Sequence, residues 1–273
     1  METILVFDTE TTSIEKPFAY DVGYKIFDRD FNEIASKHFV IEQIWHNLPL
    51  FESAYYHEKR PLYVLAMRKH EAIMTKWGYM VSEMIRDIQK HNVVSAYAFN
   101  SSFDDKVFTF CCNWFKTRNP FDTIPIYDIW GYSSQFITNT AEYRNFCEQH
   151  ELFTESGKYQ GNAEALIKFL TNNVEFEEAH RGLQDVEIEA EILHECIKRG
   201  AEWDKEYKVV RYLNREIPTP YAIKVNGKII HQGEYIKRYV RNEMYHFTEM
   251  VPENDKEEMV EESTIFSIPH IIR

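Results

Sequence analysis

The sequence predicts an α/β fold, a mixed sheet flanked by helices with a small β-containing C-terminal appendage, on three observations. The chain opens on a short apolar, β-branched run, Thr3 to Phe7, that stops at a cluster of acids. Such a run is the pattern of a central strand covered on both faces. Two more β-rich runs, 19–28 and 34–41, are split by the polar Asp28-Arg29-Asp30 turn, as in an antiparallel meander. Beyond residue 70 helical and strand patterns alternate, the signature of crossover units.

Each element has its own signal. Residues 70–91 place Ile73, Trp77, Met80, Met84, Ile85 and Ile88 along one helical face. A strand is expected at 93–98, a helix from about 103 to 116 and a strand near 124–129. Residues 162–170 and 184–199 read as amphipathic helices, the second ended by Gly200. Ala222–Val225 and Lys228–His231 flank Asn226-Gly227, a hairpin signal with a type I′ turn. A boundary near 201–206 divides the chain into a main domain over 1–200, a basic and aromatic appendage over 201–250 and an acidic tail over 251–273.

Composition excludes several classes. With 273 residues, 44% of them hydrophobic, and only nine glycines and nine prolines, the chain is long enough to bury a core and is not of low complexity. A formal net charge of −13 gives no basic surplus for non-specific duplex binding by counterion release. No apolar run approaches the roughly 18 residues of a membrane span, and Met1-Glu2 starts no signal peptide, so the expected location is the cytoplasm, with no membrane contact. Cys111, Cys112, Cys147 and Cys196 show no C-x-x-C spacing and are expected as free thiols. Glycine-rich phosphate loops are missing, and Pro61, Met74 and Lys198 stand where zincin helices starting at His57, His70 and His194 need a second histidine.

Three short motifs carry chemistry. Asp8-Thr9-Glu10 ends the first strand, and period-two alternation puts both carboxylates on one face, where they repel unless a cation joins them. Asn100-Ser101-Ser102-Phe103-Asp104 lies where a strand gives way to a helix, with Asn100 or Ser101 placed to cap it and Asp104 in its first turn. His180 lies five residues ahead of Asp185, which opens the last helix, with Gly182 between them expected to supply backbone freedom. A histidine beside carboxylates can act as a general base near neutral pH.

In this order and combination the motifs resemble the DEDDh family of 3′-to-5′ exonucleases, over about residues 1–200. The resemblance implies a ribonuclease H-like domain in which Asp8, Glu10, Asp104 and Asp185 bind metal and His180 is the general base. It further implies two Mg²⁺ or Mn²⁺ ions about 4 Å apart, which generate the nucleophile and stabilise the leaving oxygen. Thr9, Thr11, Thr12, Asn100 and Phe103 are the matching substrate-binding positions. The implied reaction releases nucleoside 5′-monophosphates from single-stranded 3′ ends, with DNA favoured over RNA and a role in replication or repair. Ser13 stands where the family commonly has glycine, Phe99 where it often has histidine, and Gly182 where it has a small alanine; none of these removes a ligand. Asp128 matches an acid that is generally structural in the family, and it is left out of the metal set.

Asp105, Glu187, Glu189 and Glu191 lie near the motifs, but helical geometry turns neighbours to other faces, with Glu189, one turn after Asp185, the exception. Residues 205–241 carry nine Lys/Arg against three acids, interleaved with Tyr207, Tyr212, Tyr221, Tyr235 and Tyr239. That mixture suits a strand-gripping surface or a contact with a polymerase or other replication partner through 201–273. It equally suits a small β-rich appendage whose tyrosines pack on the main domain. Two rival functions stay open: a phosphodiesterase of di- or oligoribonucleotides, and a partner-binding protein with an idle site.

Overall fold

The computed structural model describes residues 2–154, 157–209, 218–225, 228–242 and 245–252. They form two compact units, Met1–His150 with Gly161–Val210, and Glu151–Gln160 with Arg211–Arg273.

In the first unit β1 (Thr3–Thr11), β2 (Ala19–Asp28), β3 (Glu33–Ile41), β4 (Ile73–Thr75), β5 (Val93–Ala98) and β6 (Ile126–Asp128) make one sheet in the order β4-β3-β2-β1-β5-β6. β1, β2 and β3 are the antiparallel meander, while β4, β5 and β6 add in parallel to β3, β1 and β5. The helices are α1 (Glu42–Trp45), α2 (Leu48–Phe51), α3 (Arg60–Arg68), α4 (Trp77–Lys90), α5 (Ser101–Phe115), α6 (Ile129–Phe136), α7 (Ala141–Gln149), α8 (Ala163–Thr171) and α9 (Gly182–Lys198). This is the mixed, helix-flanked sheet that the sequence predicts.

The core explains why β1 sits in the middle. Ile4, Leu5, Val6 and Phe7 are all buried, so both faces of the strand are covered. Leu5 and Phe7 join Met80 and Met84 of α4 and Val107 and Phe108 of α5, with the Phe7 ring edge-on to Phe108 at 5.6 Å. On the other face of β2, Lys25 reaches Glu187 of α9 at 2.8 Å. At its far end α9 stops where Gly200 takes φ +96 and Ala201 N donates to Cys196 O, the glycine-terminated end that was expected.

Two local differences have physical causes. The helical pattern over 70–91 begins as a helix only at Trp77, whose N–H donates to Gln43 Oε1 at 3.0 Å. Its first apolar residues instead fill an edge slot beside Phe39, Val40 and Ile41 of β3. Residues 201–209 belong to the first unit and pack within it: Arg29 pairs with Asp204 at 2.6 Å, and Tyr207 lies edge-on to Tyr132 at 4.7 Å.

In the second unit β7 (Pro218–Val225), β8 (Lys228–Asn242) and β9 (Tyr245–Pro252) form an antiparallel sheet. Val225 pairs with Lys228 around the expected hairpin turn, whose residues 226 and 227 lie outside the described residues. The acidic residues 253–273, and the side chains of the basic and aromatic stretch from 210 onward, also lie outside them. All four cysteines are buried free thiols. Among the described residues no helix is long and apolar enough to cross a membrane.

Candidate active site

The site is built at the end of β1. There Asp8 pairs across to Gly23 and Glu10 to Asp21, and alternation sends Thr9 to the opposite face. Thr9 is buried, and its N–H and Oγ1 both donate to Asp104 Oδ1, at 3.1 and 2.6 Å. Its hydroxyl is therefore engaged by Asp104, although the sequence reading assigned it to substrate. Thr12 is likewise buried, with Oγ1 donating to Lys16 O at 3.3 Å and its N–H to Phe18 O at 3.0 Å. Thr11 is half-buried beside Ser13 O.

Asp104 sits in the first turn of α5, as expected, but neither Asn100, at the N-cap position, nor Ser101 caps that helix with its side chain. Asn100 takes φ +58 and lacks the extended backbone from which a side chain caps. Asp128 Oδ1 instead accepts the N–H groups of Asn100 at 2.9 Å, Ser101 at 3.4 Å and Trp130 at 3.0 Å. One carboxylate thus serves the starts of both α5 and α6. Asn100 is exposed, and Phe103 packs partly buried against the core.

α9 begins at Gly182, two residues earlier than the pattern suggested, with Asp185 in its first turn. Gly182 is glycine because of crowding and not for backbone freedom. A Cβ on it would lie 2.8 Å from Gly23 N, and one on Gly23 would lie 2.3 Å from Gly182 C. The unusual backbone belongs to His180, at φ +48. Gly182 N donates to Asp21 Oδ2 at 2.9 Å, and Arg181 N donates to Asp185 Oδ2 at 2.6 Å.

Crossing α9 over the end of β1 brings Glu10, His180 and Asp185 together, with one potential ligand atom from each inside a 4.8 Å set. Asp8 and Asp104 lie outside that tight set but share its field. Desolvation first, then Glu189, Asp104, Asp185 and Glu10, hold Asp8 well above the usual carboxylate range. Desolvation and then Asp185 do the same to Glu10. Asp104 is pushed up to about 7 by burial, against the opposing bonds from Thr9. Asp185 is pushed up to about 8 by burial and then by Glu178.

Two further acids belong to this neighbourhood. Glu189, buried one turn after Asp185, accepts Phe99 N–H at 3.2 Å and is held well above its usual range, mainly by desolvation. Its position relative to Asp185 was the available signal. Glu178 is pushed up to about 7 by burial and then by Glu164, and no motif marks it. Asp105, Glu187 and Glu191 are exposed, as helical geometry requires.

These residues fit a hard divalent cation. Several oxygen donors repel one another in a space withdrawn from water, and Asp185 Oδ1 is buried without a hydrogen-bond partner. The His180 imidazole is pushed below its ordinary value by burial and then by Lys59, which keeps it neutral and able to accept a proton at pH 7.

No family model matches the chain, and no curated protein does. Solved structures do. Escherichia coli exonuclease I in complex with a 5cy-dT13 oligonucleotide superposes with a TM-score of 0.50 and 14% identity, over 73% of this chain and 41% of that one. Over that stretch the fold is similar to part of exonuclease I. SSB/exonuclease I in complex with the inhibitor CFAM gives the same TM-score of 0.50 at 15% identity, over 73% of this chain and 42% of that one. The chain therefore spans less than half the length of the exonuclease I structures that it matches.

Proposed function

We propose that the protein is a metal-dependent 3′-to-5′ exonuclease that hydrolyses terminal phosphodiesters of single-stranded nucleic acid to nucleoside 5′-monophosphates, with DNA favoured over RNA. The observation that carries this reading is the meeting of Glu10, His180 and Asp185 within 4.8 Å, beside the desolvated carboxylates of Asp8 and Asp104. Elements far apart in the chain build this arrangement, and solvated surface acids would not be withdrawn from water in this way.

Asp8, Glu10, Asp104 and Asp185 are the residues that would hold Mg²⁺ or Mn²⁺. Cations bound there would acidify a water and offset charge on the scissile phosphate. The chain's own parts do the rest. Thr9 fixes the Asp104 carboxylate by two hydrogen bonds, and Arg181 N fixes one oxygen of Asp185 while the other stays free. His180 takes the proton of the attacking water at the nitrogen that faces Glu10 and Asp185. Thr11, Asn100 and Phe103 would meet the terminal nucleotide.

The preference for DNA is supported by a neighbour of similar fold that holds a dT13 oligonucleotide, and by the resemblance of the motifs to the DEDDh exonucleases with the implied role in replication or repair. A partner contact through residues 201–273 belongs to the same proposal, and a neighbour with SSB makes a single-strand-binding protein a better candidate than a polymerase.

Product analysis tests the reaction. Incubation with Mg²⁺ and equimolar 20-mer DNA and RNA should release deoxynucleoside 5′-monophosphates first, and a 3′-phosphate block should stop release. Nucleoside 3′-monophosphates as products would exclude the proposed bond cleavage. A rate that rises as the substrate shortens to a ribodinucleotide would favour the oligoribonucleotide phosphodiesterase.

A further inference from the structure

The mechanism above asks His180 to face the carboxylates, yet among the described residues no hydrogen bond to its ring sets that direction. A histidine base is usually held by a carboxylate or carbonyl on its second nitrogen. Here its surroundings are aromatic. The Tyr56 ring lies parallel to the imidazole, with centroids 4.1 Å apart and planes 10° apart. Tyr56 is itself braced, with Tyr55 edge-on at 4.8 Å and the Lys59 ammonium 4.6 Å from its ring centroid. The same Lys59 Nζ donates to Ala179 O at 2.6 Å, so one side chain touches both the phenol ring and the backbone leading into His180.

We propose that Tyr56 is the positioning residue of His180, fixing the plane of the imidazole by stacking so that a ring nitrogen faces Glu10 and Asp185, with Lys59 holding the stack and the Ala179 carbonyl together. This rests on the reading of His180 as the base of the reaction. His180 has φ +48 on the segment before α9, and the imidazole could still rotate about its two side-chain torsions. A parallel ring on one face removes the rotations that sweep the nitrogen away, while leaving both nitrogens free to exchange a proton. The hydroxyl of Tyr56 takes no part, so the device needs a flat ring and not a phenol. Aromatic ring contacts are attractive beyond the area they bury, which biases the orientation of the imidazole.

The test compares wild type with Tyr56→Phe, Tyr56→Leu and Lys59→Met. Proton NMR of the metal-free proteins reads the stack directly: the His180 ring signals, assigned by their loss in His180→Ala, should be shifted upfield in wild type and Tyr56→Phe and should return downfield in Tyr56→Leu. With Mg²⁺ and a single-stranded oligonucleotide, Tyr56→Leu should lower kcat by about tenfold or more, the scale of a misplaced catalytic group, with KM nearly unchanged. Tyr56→Phe should keep the wild-type kcat, and Lys59→Met should fall between. Thermal midpoints measured alongside show that the variants are folded. Unshifted His180 signals in wild type, a wild-type kcat in Tyr56→Leu, or a kcat in Tyr56→Phe as low as in Tyr56→Leu would each overturn the proposal. A shifted signal in a wild type that hydrolyses nothing would instead overturn the reading of the site, and the proposal with it.

Discussion

Asp21 Oδ2 accepts the backbone N–H of Gly182 at 2.9 Å, and its Oδ1 lies 2.7 Å from His38 Nε2. This pins the first turn of α9 to β2, next to the contact between Gly182 and Gly23. Asp185 is three residues further along the helix, so the distance between Asp185 and Glu10 depends on this bond. Asp21→Ala strips a partner from two buried groups and should cost about 1–3 kcal/mol, the scale for an unsatisfied buried group. Gly23→Ala forces two backbones apart and should cost about 1–3 kcal/mol by overpacking. Urea unfolding measures both, and Mg²⁺-dependent activity should fall with each.

Thr9→Val removes one of the two donors to Asp104 while keeping the shape of the side chain. The remaining bond from Thr9 N leaves the carboxylate freer to turn. Loss of such a supporting bond costs about 10–100-fold in metal affinity, and titration calorimetry with Mn²⁺ should show a loss in that range. Unchanged affinity would mean that Asp104 does not hold metal.

Asp128 accepts three backbone N–H groups at the starts of two helices. Asp128→Ala should therefore lower stability by about 1–2 kcal/mol, the upper range for a lost cap, while Mn²⁺ affinity stays close to that of wild type. A collapse of metal affinity in a folded variant would place Asp128 among the ligands.

Buried acids make the metal-free protein sensitive to pH. A carboxyl whose folded value is raised favours its protonated form in the fold, so its contribution is complete below the unfolded value near 4 and is lost as pH rises through the folded value. With Asp104 at about 7 and Asp185 at about 8, this contribution is lost between about pH 4 and 8. Thermal melts in chelator should show a falling Tm across that window, flatter in Asp104→Asn and Asp185→Asn. Mg²⁺ should raise the Tm more at pH 8 than at pH 5, because deprotonated carboxylates bind it better.

Much of this arrangement is legible in the sequence because it is local. The strand ending in Asp8 and Glu10, the helix turn carrying Asp104 and the helix opening near Asp185 each declare themselves by periodicity and an acid at a boundary. What the sequence hides is partnership across the fold. Tyr56 and Lys59 precede His180 by more than 100 residues, in a stretch without strong periodicity, and only the folded chain brings them to its ring. The close approach of Gly23 and Gly182 is hidden for the same reason, so Gly182 read as a flexible link when it is a packing contact. β4 was absorbed into a helical pattern because a strand of only three residues, with apolar Ile73 and Met74, fits either period.

The most direct test is degradation of 5′-labelled single-stranded DNA by wild type, Asp8→Ala and His180→Ala, with Mg²⁺, with Mn²⁺ and in chelator. The account predicts a ladder shortening from the 3′ end in wild type that needs metal and disappears in both variants. A wild-type ladder that persists in chelator, or that survives in a folded Asp8→Ala protein, would contradict it.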